Sequence, residues 1–191
     1  MVGKLTVITG LDGSGTSSLA EQLCSRDPHG LLFKTPDGPF GESRVLFDRE
    51  VRERSQSAHY LFYLAAVAYA SERIKEQMKT HNVYCVRYLI DTVVSHRVAG
   101  MDVELVYKGM GYDIQEPDAT LFVNIEESTR QHRITVRGKS ELDKSLDDDG
   151  TRNRFIAEFR RLSEHYHEID NGGDDLQKAV QSAIAHLPWL Q

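Results

Sequence analysis

Eight residues near the start of the chain, Gly10-Leu11-Asp12-Gly13-Ser14-Gly15-Thr16-Ser17, have the spacing of a phosphate-gripping loop. The general pattern is G-x-x-x-x-G-K-[ST]. Its glycines let successive N–H groups turn inward on a phosphate, its lysine adds charge, and its last hydroxyl meets magnesium. Gly10 and Gly15 frame the loop, Ser17 holds the hydroxyl position, and Thr16 stands where the lysine belongs. A β-rich run at 5–9 precedes the loop, and apolar residues at helical spacing follow it at 17–24. Strand, glycine loop, helix places a bound phosphate on the positive end of the helix. The residues therefore predict nucleotide binding through Gly10, Gly13, Ser14, Gly15, Thr16, Ser17 and Ser18. They also predict that another cation supplies the missing charge, with Lys34, Arg137 and Lys139 as candidates.

The elements that must position this loop alternate along the chain. Strands are predicted at 31–34, 83–86, 120–125 and 167–170, besides the first at 5–9. Helices are predicted at 55–79, 126–137, 152–165 and 174–186. The centre of the first of these, 60–70, is apolar almost all round, which suits burial or a subunit interface. A Pro- and Gly-dense stretch at 36–41 reads as a loop, and the polar, acidic stretch at 138–150 as a mobile surface segment. Alternation of this kind implies an α/β fold, a single domain over 1–191 with a parallel sheet of about five strands and helices on both faces.

Composition sets the outer limits. The formal net charge of −6 argues against a general nucleic-acid binder but not against a nucleotide held by a local cluster. No apolar run approaches the roughly 20 residues of a membrane span. The chain moves from Met1-Val2-Gly3-Lys4 straight into its first strand, which leaves no place for a signal peptide and suggests the cytoplasm. Cys24 and Cys85 read as buried free thiols. The eight histidines are scattered without metal-site spacing and read as surface or helix-end residues. Asp147-Asp148-Asp149-Gly150 is no calcium loop, because Ile156 falls at the twelfth position from Ser145, where a bidentate Glu is needed.

Taken in order, six segments resemble the thymidylate kinase family of nucleoside monophosphate kinases. Gly10 to Gly15 is similar to that family's G-x-D-G-x-G, and Pro36, Gly38, Gly41 and Arg44 to the loop after its second strand. Arg87-Tyr88 with Asp91-Thr92 resembles its D-R-Y…S segment, and Pro117-Asp118-Ala119-Thr120-Leu121 the lead into its fourth strand. Arg130, Arg133 and Arg137 fall where the family has its arginine-bearing lid, and Phe159, Arg160, Tyr166 and Ile169-Asp170 resemble its closing helix and strand.

The resemblance implies a P-loop kinase fold with a short lid at about 130–150, transfer of phosphate from ATP, with Mg2+, to a nucleoside monophosphate (thymidylate-like or a related pyrimidine nucleotide), and a homodimer. It implies that Asp12 and Ser17 organise the magnesium shell and that Arg44 and Arg87 grip the acceptor's phosphate. Arg137, with Arg133 or Lys139, would close over the transferring group. Pro36, Phe40, Tyr88 and Asp91 would shape the acceptor pocket. On the residues alone, Arg130 and Arg133 could instead pair with Glu126 and Glu127 on the helix surface. Three departures stand out: Thr16 for the lysine, Val86 for the acid of D-R-Y, and no base-reading arginine in the run 64–68, Arg73 lying five positions beyond it. They leave open a kinase for another small acceptor, a nucleoside or a phosphorylated metabolite, and a nucleotide-binding protein without turnover.

Overall fold

The structure, a computed structural model, describes residues 2–109, 111–138, 146–173 and 175–191. The chain runs β1 (Leu5–Gly10), α1 (Thr16–Arg26), β2 (Gly30–Lys34), α2 (Gly38–Glu50), α3 (Gln56–Gln77), β3 (Asn82–Val86) and α4 (Leu89–Val98). It continues through a small hairpin, β4 (Lys108–Gly109) and β5 (Tyr112–Asp113), to β6 (Ala119–Asn124), α5 (Glu127–Arg137), α6 (Asp149–Arg161), β7 (His167–Asp170) and α7 (Leu176–Ile184).

Five strands form one sheet in the order β2-β3-β1-β6-β7, and every pairing in it is parallel. β1 is central, with Val7 opposite Cys85 on one side and Thr120 on the other. Such a strand is covered on both faces, and all six of its residues are buried, Thr6 and Thr9 included. Its side chains still alternate. Leu5 and Val7, with Val83, Cys85 and Phe122, pack against Ile74 of α3, Val93 of α4 and Phe159 of α6. Ile8, with Tyr84, Val86, Leu121 and Ile169, packs against Leu19 and Leu23 of α1 and Val180 of α7. Both thiols are free, Cys85 fully buried and Cys24 partly so.

The expected strands and the long helix lie where the pattern placed them, and four details differ. The stretch expected as a loop at 36–41 becomes the start of α2 from Gly38 onward; Pro39 is tolerated there because the first turn needs no intrahelical N–H bond. Helix α4 was not expected, because six of its ten residues are buried and no polar stripe marks it. Of the segment expected to be mobile, residues 139–145 lie outside the described residues. Beyond them Leu146 is 3% exposed, and the Asp148 carboxylate caps α6 by accepting from Thr151 N at 2.6 Å. The last helix begins at Leu176, capped by Asp175, while Asp174 lies outside the described residues.

Candidate active site

The glycine loop joins the carboxyl end of β1 to α1, with Thr16 buried in the helix's first turn and Ser17 and Ser18 exposed beside it. Helix α5 lies directly on the loop. A Cβ added at Gly13, whose φ is +85°, would meet Ile134 Cγ1 at 2.7 Å and Arg130 Cγ at 3.1 Å. At Gly15 a Cβ would collide with Asn171 Nδ2 and stand 3.5 Å from Arg133 Nη1. Asn171 in turn donates to Ser14 O at 2.7 Å, and Arg133 to Asn171 O at 3.1 Å and Gly173 O at 2.9 Å. Arg130 does pair with Glu127, at 2.7 Å, but not on the surface. It is fully buried and also donates to Asp12 O at 3.1 Å and Leu146 O at 3.3 Å. One guanidinium thus ties the loop backbone to α5 and to the approach to α6.

Beyond the loop, Arg87 leaves β3 in the left-handed region, with φ of 65°. Its N–H donates to Ile8 O at 3.0 Å, and its carbonyl accepts from Thr35 Oγ1 at 2.9 Å, so the conformation is held from both sides. The side chain lies between two carboxylates, pairing with Asp12 and, at 3.3 Å, with Asp91. Burial works against its charge, but Asp12 and Asp91 outweigh it and hold the guanidinium protonated. Asp91 accepts from Thr9 Oγ1 at 2.7 Å and Tyr88 N at 2.9 Å, yet burial pushes its carboxyl up. A carboxylate beside this arginine thus comes from Asp91, in the first turn of α4. Val86 itself faces α1 in the core.

These groups open into a cavity of about 310 Å³ at the carboxyl ends of the strands. Gly10, Asp12, Pro36, Arg44, Arg87, Tyr88 and Asp91 all line it. Other expected residues stand elsewhere. Phe40 packs against Phe62 and Tyr69 between α2 and α3, with ring centroids 5.5 and 5.6 Å away. Arg137 is exposed at the end of α5, Lys34 is exposed at the end of β2, and Lys139 lies outside the described residues. Arg73 pairs with Asp37 and lies over the Phe33 ring, away from the cavity lining.

The cavity also holds residues the sequence did not single out. Gln56 and Arg52, on either side of the turn into α3, line it, and Gln56 Nε2 donates to Arg52 O at 2.8 Å. His59 and His96 line it too, 4% and 2% exposed, which corrects their reading as surface or helix-end residues. Their ring nitrogens meet at 2.9 Å. They are 37 residues apart and come together only because α3 packs on α4, so no local spacing could reveal them.

The family model described as Thymidylate kinase matches residues 8–184. A probable thymidylate kinase of Methanococcus maripaludis strain C6 is 22% identical over 174 residues, covering 91% of this chain and 81% of that protein. Its counterpart in strain S2 is 23% identical over 143 residues, 75% of this chain and 71% of that one. Among solved structures, thymidylate kinase from Candida albicans superposes with a TM-score of 0.76 at 18% identity, covering 99% of this chain and 94% of that one. That from Ehrlichia chaffeensis gives 0.64 at 17% identity, covering 98% and 99%. At these identities the solved structures share the P-loop kinase fold.

Proposed function

The chain belongs to the thymidylate kinase family, and on that premise we propose that it phosphorylates a nucleoside monophosphate, thymidylate-like or a related pyrimidine nucleotide, to the diphosphate. One observation carries this reading. The phosphate loop, through Gly10 to Asp12, lines the same cavity as Arg44, Arg52 and Arg87, so a donor on the loop and an acceptor on the arginines would face each other. Phosphoryl transfer asks mainly for positioning and charge neutralisation, and this arrangement offers both. The donor set suits a magnesium nucleotide: loop N–H groups at the amino end of α1, with the exposed Ser17 hydroxyl beside them. ATP with magnesium would bring the transferable phosphoryl group and most of the neutralising charge. Arg44 and Arg87 would then grip the acceptor's phosphate, and Asp12, paired with Arg87 here, would exchange that partner on binding.

Thr16 brings no charge to the loop. We assign that role to one of Lys34, Arg133, Arg137 and Lys139, and unchanged turnover in all four single alanine variants would remove the assignment. The exposed apolar residues of α2 and α3 are proposed as a homodimer face. ADP release from magnesium-ATP over a panel of nucleoside monophosphates and nucleosides, for wild type beside Thr16→Lys, tests the activity. Turnover of a nucleoside monophosphate is expected. Thr16 also favours a second reading, nucleotide binding without transfer, for which ATP binding with no turnover of any acceptor would decide.

A further inference from the structure

Apart from its charged residues, the cavity offers a ligand few hydrogen-bonding side chains. Ala66 and Val67 of α3, Val98 and Ala99 at the end of α4, and Phe155 and Phe159 of α6 give it apolar surface. The neutral polar side chains in the lining are mostly bound to the protein already. Tyr63 Oη donates to Asp48 Oδ1 at 2.8 Å, Ser95 Oγ to Thr92 O at 3.0 Å, and Thr35 Oγ1 to Arg87 O at 2.9 Å. The two histidines spend all four ring nitrogens on the wall. His59 Nδ1 lies 2.9 Å from His96 Nε2, and His96 Nδ1 lies 2.7 Å from Thr92 O. His59 Nε2 lies 2.9 Å from Asp48 Oδ1 and 3.5 Å from Arg52 Nε. Gln56 Nε2 is taken by Arg52 O, while Gln56 Oε1 and Tyr88 Oη are closed to solvent inside the wall. Thr151 Oγ1 accepts from Arg154 at 3.0 Å. What remains for a ligand is the Thr151 hydroxyl proton and Thr92 Oγ1, which makes no hydrogen bond among the described residues.

We propose that the base of the acceptor is selected by the size and outline of its ring, not by its hydrogen-bonding edge. The proposal rests on the kinase reading above, which gives Arg44, Arg52 and Arg87 to the phosphates. A pyrimidine-dione edge presents two carbonyls and one N–H, and two threonine hydroxyls do not match that pattern. A committed group answers a ligand only by giving up its bond to the protein. Sites that pair with a polar edge reject an analogue lacking it by about 10⁴-fold, whereas apolar pockets separate ligands by about 10- to 200-fold, chiefly on size. This lining is of the second kind, so monophosphates of one outline are accepted alike.

The test compares thymidine monophosphate with its apolar isostere, in which 2,4-difluorotoluene replaces thymine. The outline is kept and the hydrogen-bonding edge is lost. The two kcat/KM values are expected to agree within about tenfold, and a greater loss with the isostere would overturn the proposal. Thr92→Val removes the unpaired hydroxyl and is expected to leave the ratio of the two acceptors unchanged. A fall for thymidine monophosphate alone would show that Thr92 reads the edge, against the proposal. Ser95→Leu, from a half-buried wall position, puts bulk into the cavity and is expected to raise KM for both acceptors at least about tenfold. Unchanged KM values would mean that the base lies elsewhere, which also overturns it. If neither nucleotide turns over, the kinase reading fails on its own, and calorimetry of both nucleotides with the wild type decides. Affinities within about tenfold support selection by outline; a weaker isostere, or no binding of either, overturns it.

Discussion

Arg87 occupies a backbone region that non-glycine residues rarely enter, between two carboxylates that leave its charge no freedom. Replacing it with Ala leaves Asp12 and Asp91 facing each other without a cation at the mouth of the phosphate loop. Turnover is expected to fall by about 100-fold or more. Arg87→Lys should recover little of it, since one ammonium cannot span both carboxylates and a phosphate. Steady-state kinetics of both variants check this, and full activity in Arg87→Lys would show that only charge matters here. The thiols allow a second residue-level prediction. Burial and then Asp91 push the Cys85 thiol well up, and burial and then Asp27 raise Cys24. A raised thiol holds less thiolate at any given pH, so reaction weakens below the ordinary range. At pH 8 a disulfide reagent should react slowly with Cys24 and reach Cys85 only in denaturant. Rapid release of two equivalents from the native protein would contradict the burial described.

The elements were legible where burial imposes a pattern. β1, β3 and β6 read as short runs rich in β-branched and aromatic residues, buried almost throughout because parallel strands are covered on both faces, and the glycine loop was marked by its own spacing. Helix α4 was not legible, since a helix buried on nearly every side carries no 3.6-residue stripe. Helix α2 was missed for the opposite reason: none of its residues is buried, so no apolar face announces it. The same limit governs the site. Asp12 and Arg87 stand next to recognisable strand ends, whereas Arg52, Gln56, His59 and His96 meet only through the packing of α3 on α4. The contact of α5 with the loop is another product of packing, and it carries a prediction. Arg130→Ala leaves the Asp12 carbonyl without its guanidinium and Glu127 with Arg152, at 3.3 Å, as its remaining cation. The cost should be about 2–3 kcal/mol, below that of a fully buried pair because the Glu127 side chain is 32% exposed. For a chain of this size that lowers the melting temperature by roughly 5–10 °C. Calorimetry measures it, and an unchanged melting temperature would mean that the loop does not depend on α5.

At the scale of the whole molecule, four of the eight large apolar residues exposed among the described residues belong to α2 and α3. Val45 and Leu46 of α2 are 65% and 52% exposed, and Leu61 and Tyr69 of α3 are 60% and 39% exposed. On α3 the exposed residues Ala58, Leu61, Ala65 and Tyr69 recur every three or four positions, the spacing of a stripe that packs on another helix. No described helix is long and apolar enough to cross a membrane, so the stripe is not part of a span. A second copy of the chain is the proposed occupant. A stable dimer of standard size would bury roughly 1,600 Å² in total. The prediction is a particle of twice the 21.7 kDa chain mass in light scattering at micromolar concentration. Leu61→Arg, which places a charge in the middle of the stripe, should halve that mass and leave the monomer folded, because Leu61 supports no core contact. The cavity lies on the other side of α3, where His59, Tyr63, Ala66 and Val67 line it. A dimer face on this helix would therefore brace the acceptor wall from behind. Leu61→Arg should accordingly raise the KM for the acceptor several-fold, with kcat less affected. A wild type that stays at 21.7 kDa at all concentrations would exclude the dimer and leave the stripe to a different partner.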